Sequence, residues 1–212
     1  MIKRLCGLTL LFALVSATPA LAQLPSIDFT AYGGVYVPLN DVVEEQVLGV
    51  DFTGKHESAL AIGGRLTLGL PGPLGVEGAV NYALSDVEVD SAGVTDKEGA
   101  NVLAVSGRLV FEFGLPAAPL TFFVNGGVAY ISRGGDFYEE VEDKSNIGGV
   151  AGVGLKLGLP GLVALRLDLE DYIYSAKPTL VDPITGNPIE LADSQLQNDF
   201  IVSVGLVFSI GP

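Results

Sequence analysis

The sequence predicts an all-β fold: a transmembrane, antiparallel up-and-down β-barrel of about eight strands, with short periplasmic turns at one end and long acidic extracellular loops at the other. Three observations predict it. A Gly-Leu-Pro motif recurs at nearly equal spacing along the chain. The runs between its copies alternate apolar with polar residues, which is the period of a β-strand. The apolar face of each run carries no charge through its middle, as expected of a face in contact with lipid.

The Gly-Leu-Pro motif divides the chain into strands. Each copy begins a short stretch rich in proline and glycine, residues that end strands and build tight turns. The copies stand at residues 69–71, 114–116 and 158–160. The polar stretches between them are longer, hold most of the acidic residues, and cover roughly residues 39–57, 86–99, 132–145 and 175–197. Three tight turns and four long loops require eight strands, and both chain termini then lie on the periplasmic side.

The alternation within each strand indicates which face meets lipid. In the first strand, residues 26–38, the odd positions from Ile27 to Val37 are apolar or glycine, whereas the even positions include Asp28 and Thr30. A soluble barrel or sandwich would place charged residues outside and bulky apolar residues inside. Here the polar face is rich in Gly, Ala and Ser, so we expect it to line a crowded lumen. In lipid only a closed sheet satisfies every backbone group, so the strands must close into a barrel.

The N-terminus predicts a secretory signal peptide. Two basic residues precede an apolar core at residues 5–16, and Ala20-Leu21-Ala22 is a cleavage motif. The core is too short to span a bilayer, and Cys6 lies inside it rather than directly after it, which argues against a lipid anchor. We therefore expect residues 1–22 to be removed and residues 23–212 to form one outer-membrane β-barrel domain without cysteine.

Charged residues on the inward positions are the main candidate site. Four are basic and four are acidic, and they are Arg65, Glu77, Arg108, Glu112, Lys156, Arg166, Asp168 and Glu170. The interior of an eight-stranded barrel is just wide enough for side chains to fill it. We therefore expect these charges to pair across the lumen as a salt-bridged plug. The alternative is a narrow, gated pore, which would need connected water along the barrel axis.

The single histidine, His56, is a weak candidate for catalysis. It stands beside Glu57 and Ser58, and a histidine with a serine and an acid can form a hydrolase site. Adjacent residues of a strand face opposite sides, however, and no second histidine is available as a base. A solvated loop residue is the simpler interpretation, and we expect no enzyme activity.

The acidic loops are a weak candidate for metal binding. Oxygen-rich loops suit Ca²⁺, and one loop contains Asp136, Glu139, Glu140, Glu142 and Asp143. No EF-hand spacing is present, so a solvated anionic surface is the simpler interpretation, and we expect neither a metal nor a cofactor. The net charge of −14 also argues against nucleic-acid binding, which needs a basic surface.

The last long loop contains a hairpin signal. Two short apolar segments, residues 179–181 and 188–191, flank Thr185-Gly186-Asn187. Short turns containing glycine and asparagine favour hairpins. The sequence therefore predicts a small hairpin within this loop.

With its signal peptide, its alternating strands and its closing strand at residues 200–208, the chain resembles the small outer-membrane barrels of the OmpA, OmpX and opacity-protein type, with OmpW-like proteins as a related group. In that family the last strand often ends on an aromatic residue that the barrel-assembly machinery reads. Here Ser209 to Pro212 follow Phe208, so this feature departs from the family pattern.

The resemblance implies a non-enzymatic protein of the bacterial outer membrane that acts in envelope structure, adhesion or surface interaction. Its implied partners are outer-membrane lipid and lipopolysaccharide, the barrel-assembly machinery during biogenesis, and extracellular surfaces. Two alternatives stay open: a narrow porin-like or OmpW-like channel for small or apolar solutes, and, more remotely, an outer-membrane lipid-modifying hydrolase.

Overall fold

The structure is a computed structural model that describes residues 26–39, 43–47, 50–91, 94–116, 118–135, 138, 144–176, 179–181, 188–190 and 195–211. Its strands are β1 (Ile27–Pro38), β2 (Val43–Val47), β3 (Val50–His56), β4 (Ala59–Gly69), β5 (Leu74–Leu84), β6 (Asp86–Ser91), β7 (Val94–Gly99), β8 (Asn101–Gly114), β9 (Leu120–Gly134), β10 (Ser145–Gly158), β11 (Val163–Ala176), β12 (Thr179–Val181), β13 (Pro188–Glu190) and β14 (Gln195–Ile210). A search of the same residues for a helix able to cross a bilayer, judged by length and hydropathy, finds none.

Eight of these strands form a closed antiparallel barrel, in the order β1-β14-β11-β10-β9-β8-β5-β4. Each strand pairs with its neighbours along the chain, and the first and last strands close the barrel from Ile27↔Ile210 to Pro38↔Asp199. Because the sheet has no free edge, every wall strand is paired on both sides, as a barrel in lipid requires. The predicted fold class and the number of barrel strands are confirmed.

The three Gly-Leu-Pro motifs lie in the tight turns, as predicted. They join β4 to β5, β8 to β9 and β10 to β11. In the first and third turns, Gly72 and Gly161 have φ angles of 89° and 92°, a conformation that glycine adopts without a steric penalty. We call this end of the barrel, where Ile27 and Ile210 also pair, the turn end, and the opposite end the loop end.

At the loop end the chain forms two further small sheets. β2, β3, β6 and β7 make a four-stranded sheet in the order β2-β3-β6-β7. This sheet continues from the barrel strands β4 and β5. The Glu57 N–H, between β3 and β4, donates to the carbonyl of Asp86 at the start of β6, at 2.9 Å. β12 and β13 form an antiparallel pair, which confirms the hairpin predicted in the last loop.

Burial alternates along the barrel strands. On β5, Glu77 and Ala79 are buried in the lumen, whereas Val76 and Val80 are exposed on the outer surface. The outer face of the described wall is apolar, and its most exposed members include Leu60, Leu109 and Val128. The molecule therefore presents apolar side chains outward and polar ones inward, as the sequence pattern indicated.

Candidate functional site in the barrel lumen

Six charged side chains meet in the turn half of the lumen, and we call them the central cluster: Arg65, Glu77, Arg108, Arg166, Asp168 and Glu170. The strand period explains part of this arrangement. Residues 166, 168 and 170 of β11 share one face because alternate residues of a strand point the same way. Glu77 and Arg108 are direct partners across the β5–β8 ladder. The remaining contacts cross the lumen between strands that are not neighbours in the wall.

Arg166 joins the two sides of the central cluster. Its Nη1 donates to Glu77 Oε2 at 2.5 Å, and its Nη2 donates to Asp168 Oδ1 at 2.8 Å. The Thr67 hydroxyl also donates to Glu77 Oε2, at 2.7 Å. Glu77 is therefore held by an arginine on the opposite wall and by a hydroxyl on the adjacent strand.

Glu170 is shared by the two other arginines. Arg65 Nη2 donates to Glu170 Oε1 at 3.0 Å, and Arg108 Nη1 donates to the same oxygen. Arg108 Nη2 also donates to the Tyr172 hydroxyl at 2.8 Å. Arg65 Nη1 lies 3.4 Å from Asp168 Oδ2, which links the two carboxylates of β11 through one guanidinium.

The central cluster is charge-balanced and dry. Three guanidinium groups face three carboxylates, and the side chains of all six residues have 0% exposure. Burying an unpaired charge costs several kcal/mol, and mutual pairing offsets that cost only when the hydrogen bonds are satisfied. The charges are therefore held in the lumen by mutual pairing and the set depends on each member, although Arg65 Nε and Nη1 are buried without a hydrogen-bond partner among the described residues.

Aromatic rings cover two of the arginines, and interior glycines make room for those rings. The Arg65 guanidinium carbon lies 3.7 Å from the centroid of the Tyr32 ring, and that of Arg166 lies 4.4 Å from the centroid of Phe123. A methyl group at Gly154 would overlap the Phe123 ring. Such cation–π contacts are worth about 2 kcal/mol when water is excluded.

A second, smaller charged group closes the turn end. Lys156 Nζ donates to Asp28 Oδ2 at 3.1 Å and to Glu112 Oε1 at 2.6 Å. The side chains of Lys156 and Glu112 are 10% and 33% exposed, so this group is in contact with water. Its contribution to stability is therefore smaller than that of the buried central cluster.

The loop half of the lumen contains a layer of packed hydrophobic residues. Its buried residues form one packed layer, which we call the apolar layer: Tyr36, Ala61, Ala83, Val102, Ala104, Ala129, Ile131, Val150, Tyr172, Tyr174 and Ile201. Four of these residues are alanines and two are valines, and they pack with three tyrosines and two isoleucines that fill a barrel of this width. The central cluster thus occupies the turn half of the lumen, and the apolar layer lies in the loop half together with the buried charges Arg133 and Asp199.

The comparisons with known proteins agree with this architecture. A family model described as the outer membrane protein beta-barrel domain matches residues 8–208. The chain belongs to this outer-membrane β-barrel family. No curated protein sequence is significantly similar to it.

Solved structures of the same fold include OprG from Pseudomonas aeruginosa, at a TM-score of 0.67 and 12% identity, covering 90% of this chain and 98% of that one. AlkL, solved in DMPC bilayers by solid-state NMR, has a TM-score of 0.58 and 14% identity, covering 90% of this chain and 92% of that one. At such low identities the likeness concerns the fold. The family membership confirms the resemblance and makes this chain an outer-membrane protein, and these neighbours agree with its fold.

The structure places the eight predicted lumen charges of this family member in two groups. Six form the central cluster, whereas Glu112 and Lys156 lie in the turn-end group together with Asp28, which the prediction did not include. It also did not include Arg133 and Asp199, both buried near the loop end. Extending the alternation to the loop ends of β9 and β14 would have found these two, because both stand on inward positions.

The other candidate residues lie at the loop end. His56 ends β3, where its backbone pairs with Val87 of β6. Its side chain lies outside the described residues, as do the acidic loop candidates Asp136, Glu139, Glu140, Glu142 and Asp143. Within the described residues, no three His, Cys, Asp or Glu side chains are placed to hold a metal ion. The predictions that His56 is a solvated loop residue without catalysis and that this loop holds no metal therefore stay untested, as does the signal peptide, since residues 1–22 are also outside the described part.

Proposed function

We propose that this protein is a non-enzymatic outer-membrane barrel with a closed lumen, which acts through its loops in envelope structure, adhesion or surface interaction. The observation that carries the proposal is the dryness of the central cluster. A continuous aqueous pore would wet the charged groups that it passes, yet the six side chains have 0% exposure. Paired charges that exclude water block the lumen, whereas charges along an open channel would be hydrated.

In this proposal the turn end, with both termini, faces the periplasm and the loop end faces the outside. Short turns on the periplasmic side and longer loops outside are the usual arrangement of such barrels. The long loops would then present most of the acidic residues to extracellular surfaces. The apolar outer wall would contact membrane lipid and lipopolysaccharide, and the closing strand β14 would be read by the barrel-assembly machinery during biogenesis.

Planar-bilayer recordings test the closed lumen. We expect the purified protein to give no stepwise conductance, because its axis is blocked by the central cluster. The matched variant Glu77→Ala/Arg166→Ala removes a contacting pair of opposite charges and should give detectable steps if it inserts. Regular ohmic steps from the unaltered protein, with a heat-modifiable gel shift showing that it is folded, would refute the closed lumen.

A second candidate is a route for small apolar solutes, which the apolar layer favours. A solute entering from the loop end would pass the buried charges Arg133 and Asp199, reach the apolar layer and be stopped by the central cluster, so it would have to leave sideways through the wall. We expect Val150→Asp, which places a carboxylate in the apolar layer, to reduce transfer of an apolar fluorescent dye into proteoliposomes several-fold. Equal dye transfer by Val150→Asp, by the unaltered barrel and by protein-free vesicles would exclude this candidate.

A further inference from the structure

One carboxylate interrupts the apolar outer wall of the barrel. Asp171 lies on β11 between the buried residues Glu170 and Tyr172, so it points outward, and it is partly exposed. The other outward positions of the eight barrel strands, all within the described part of the chain, carry apolar, glycine or uncharged polar residues. An ionisable side chain on a membrane-facing surface is costly, and such a residue usually has a partner and a function.

Asp171 lies in the loop half of the wall, near the edge of the apolar belt. Its direct partners across the two ladders are Ala151 of β10 and Phe200 of β14. Closer to the loop end, the outward positions of β11 and β14 include the polar residues Ser175 and Asn198. Aromatic residues mark membrane interfaces, and a charged residue costs less there than at the midplane. The carboxylate therefore lies at the depth where lipid head groups meet acyl chains.

Asn198 holds this carboxylate without using all of its capacity. Asn198 Nδ2 donates to Asp171 Oδ1 at 3.1 Å and to Asp171 Oδ2 at 3.0 Å. A carboxylate can accept about four hydrogen bonds. The ion pairs formed by the described residues do not include Asp171. Asp171 therefore retains the capacity to accept a hydrogen bond from a donor outside the barrel.

We propose that Asp171 and Asn198 form a binding site for an amino-sugar lipid, the lipid A portion of lipopolysaccharide. Lipid A carries amide N–H and hydroxyl groups directly beneath its phosphorylated sugars, so its donors reach the depth of the carboxylate. A second copy of the chain fits less well, because a twofold contact on this wall would bring two Asp171 carboxylates together. The site rests on the orientation given in the proposed function, in which the loop end lies in the outer leaflet.

Urea unfolding in vesicles with and without lipid A tests the site. The barrels are folded into phosphatidylcholine, a lipid without N–H or O–H donors, and into phosphatidylcholine that contains a small fraction of lipid A. EDTA is present throughout, so that no divalent cation bridges a lipid phosphate to Asp171. Lipid A enters both leaflets, so the result does not depend on the orientation of the barrel. The closed lumen is tested separately, by conductance.

The unaltered barrel should be stabilised by lipid A. We expect its unfolding equilibrium constant at a fixed urea concentration, measured from the mobility of unheated samples, to fall about fivefold or more, the effect of one hydrogen bond to a charged group. In Asp171→Leu the same addition should change the constant about twofold or less, because the acceptor is gone. This variant carries the residue type found at Leu167 and Leu169, so it should fold in phosphatidylcholine at least as well.

Two further variants make the test specific. Asp171→Asn keeps the size of the side chain but removes its charge, so its response to lipid A should also be about twofold or less. Leu169→Ala removes an exposed apolar side chain from the same face of β11 and should keep the fivefold response. A fivefold response in Asp171→Leu, a lost response in Leu169→Ala, or no response in the unaltered barrel would overturn the proposal.

Discussion

Replacement of Arg108 by alanine is expected to lower the free energy of unfolding by about 3–5 kcal/mol, the usual cost of removing one partner from a buried ion pair. The Arg108 guanidinium donates to Glu170 and to the Tyr172 hydroxyl, and its side chain has no contact with water. Without it the central cluster has two cations for three carboxylates. Glu170 would keep only Arg65 as a donor among these arginines, and the cavity would have to admit water or a proton.

The midpoint of urea unfolding in lipid vesicles and the temperature of the heat-modifiable gel shift measure this effect. Lys156→Ala is the comparison: its partners Asp28 and Glu112 keep contact with water, so we expect it to cost less than Arg108→Ala. The double variant Arg108→Met/Glu170→Gln restores charge balance and should regain part of the lost stability. If Arg108→Ala unfolds at the same urea concentration as the unaltered barrel, the central cluster does not stabilise the fold as described.

Replacement of Gly154 by alanine is expected to destabilise the barrel by about 1–3 kcal/mol, the usual cost of overpacking an interior. The added methyl group would overlap the Leu167 carbonyl oxygen of the neighbouring strand and the Phe123 ring. The ring cannot yield freely, because it covers the guanidinium of Arg166 in the central cluster. One methyl group added on β10 is therefore expected to displace the Phe123 ring and to disturb Arg166 in the central cluster.

Gly107→Ala is the matched control for this substitution. Gly107 lies on the outer face of β8, and a methyl group there would meet no atom within 4 Å. Both variants are compared by folding yield into vesicles and by urea midpoint. Equal urea midpoints for the Gly154→Ala and Gly107→Ala barrels would show that the lumen can accommodate a methyl group at residue 154. The Phe123 ring would then be free to move away from Arg166.

Both predictions concern the same property of the lumen, its exclusion of water from paired charges. The aromatic rings of Tyr32 and Phe123 cover two arginines, and Gly63 and Gly154 leave the space that those rings occupy. Water entering beside the rings would weaken each ion pair, since electrostatic attraction falls as the local dielectric rises. The glycines, the rings and the charges therefore act together to keep the turn half of the lumen closed.

The sequence by itself determined the strands, the turns and the two faces of the sheet. These features are local: proline and glycine end a strand wherever they stand, and a period of two assigns each side chain to one face before any strand has found its partner. The Gly-Leu-Pro turns and the burial of Glu77 and Arg108 could be predicted for this reason. The hairpin of β12 and β13 was equally a local feature.

Only the tertiary structure decided which lumen charges meet. Arg65 on β4 reaches Glu170 on β11 because the barrel closes with a particular stagger of its strands, and no local pattern records that stagger. The same closure separated Lys156 and Glu112 from the central cluster and joined them to Asp28. It also buried the side chain of Tyr138, which lies between β9 and β10. Alternation specifies that a side chain points inward, but the distance between two inward side chains depends on the register of every ladder between them.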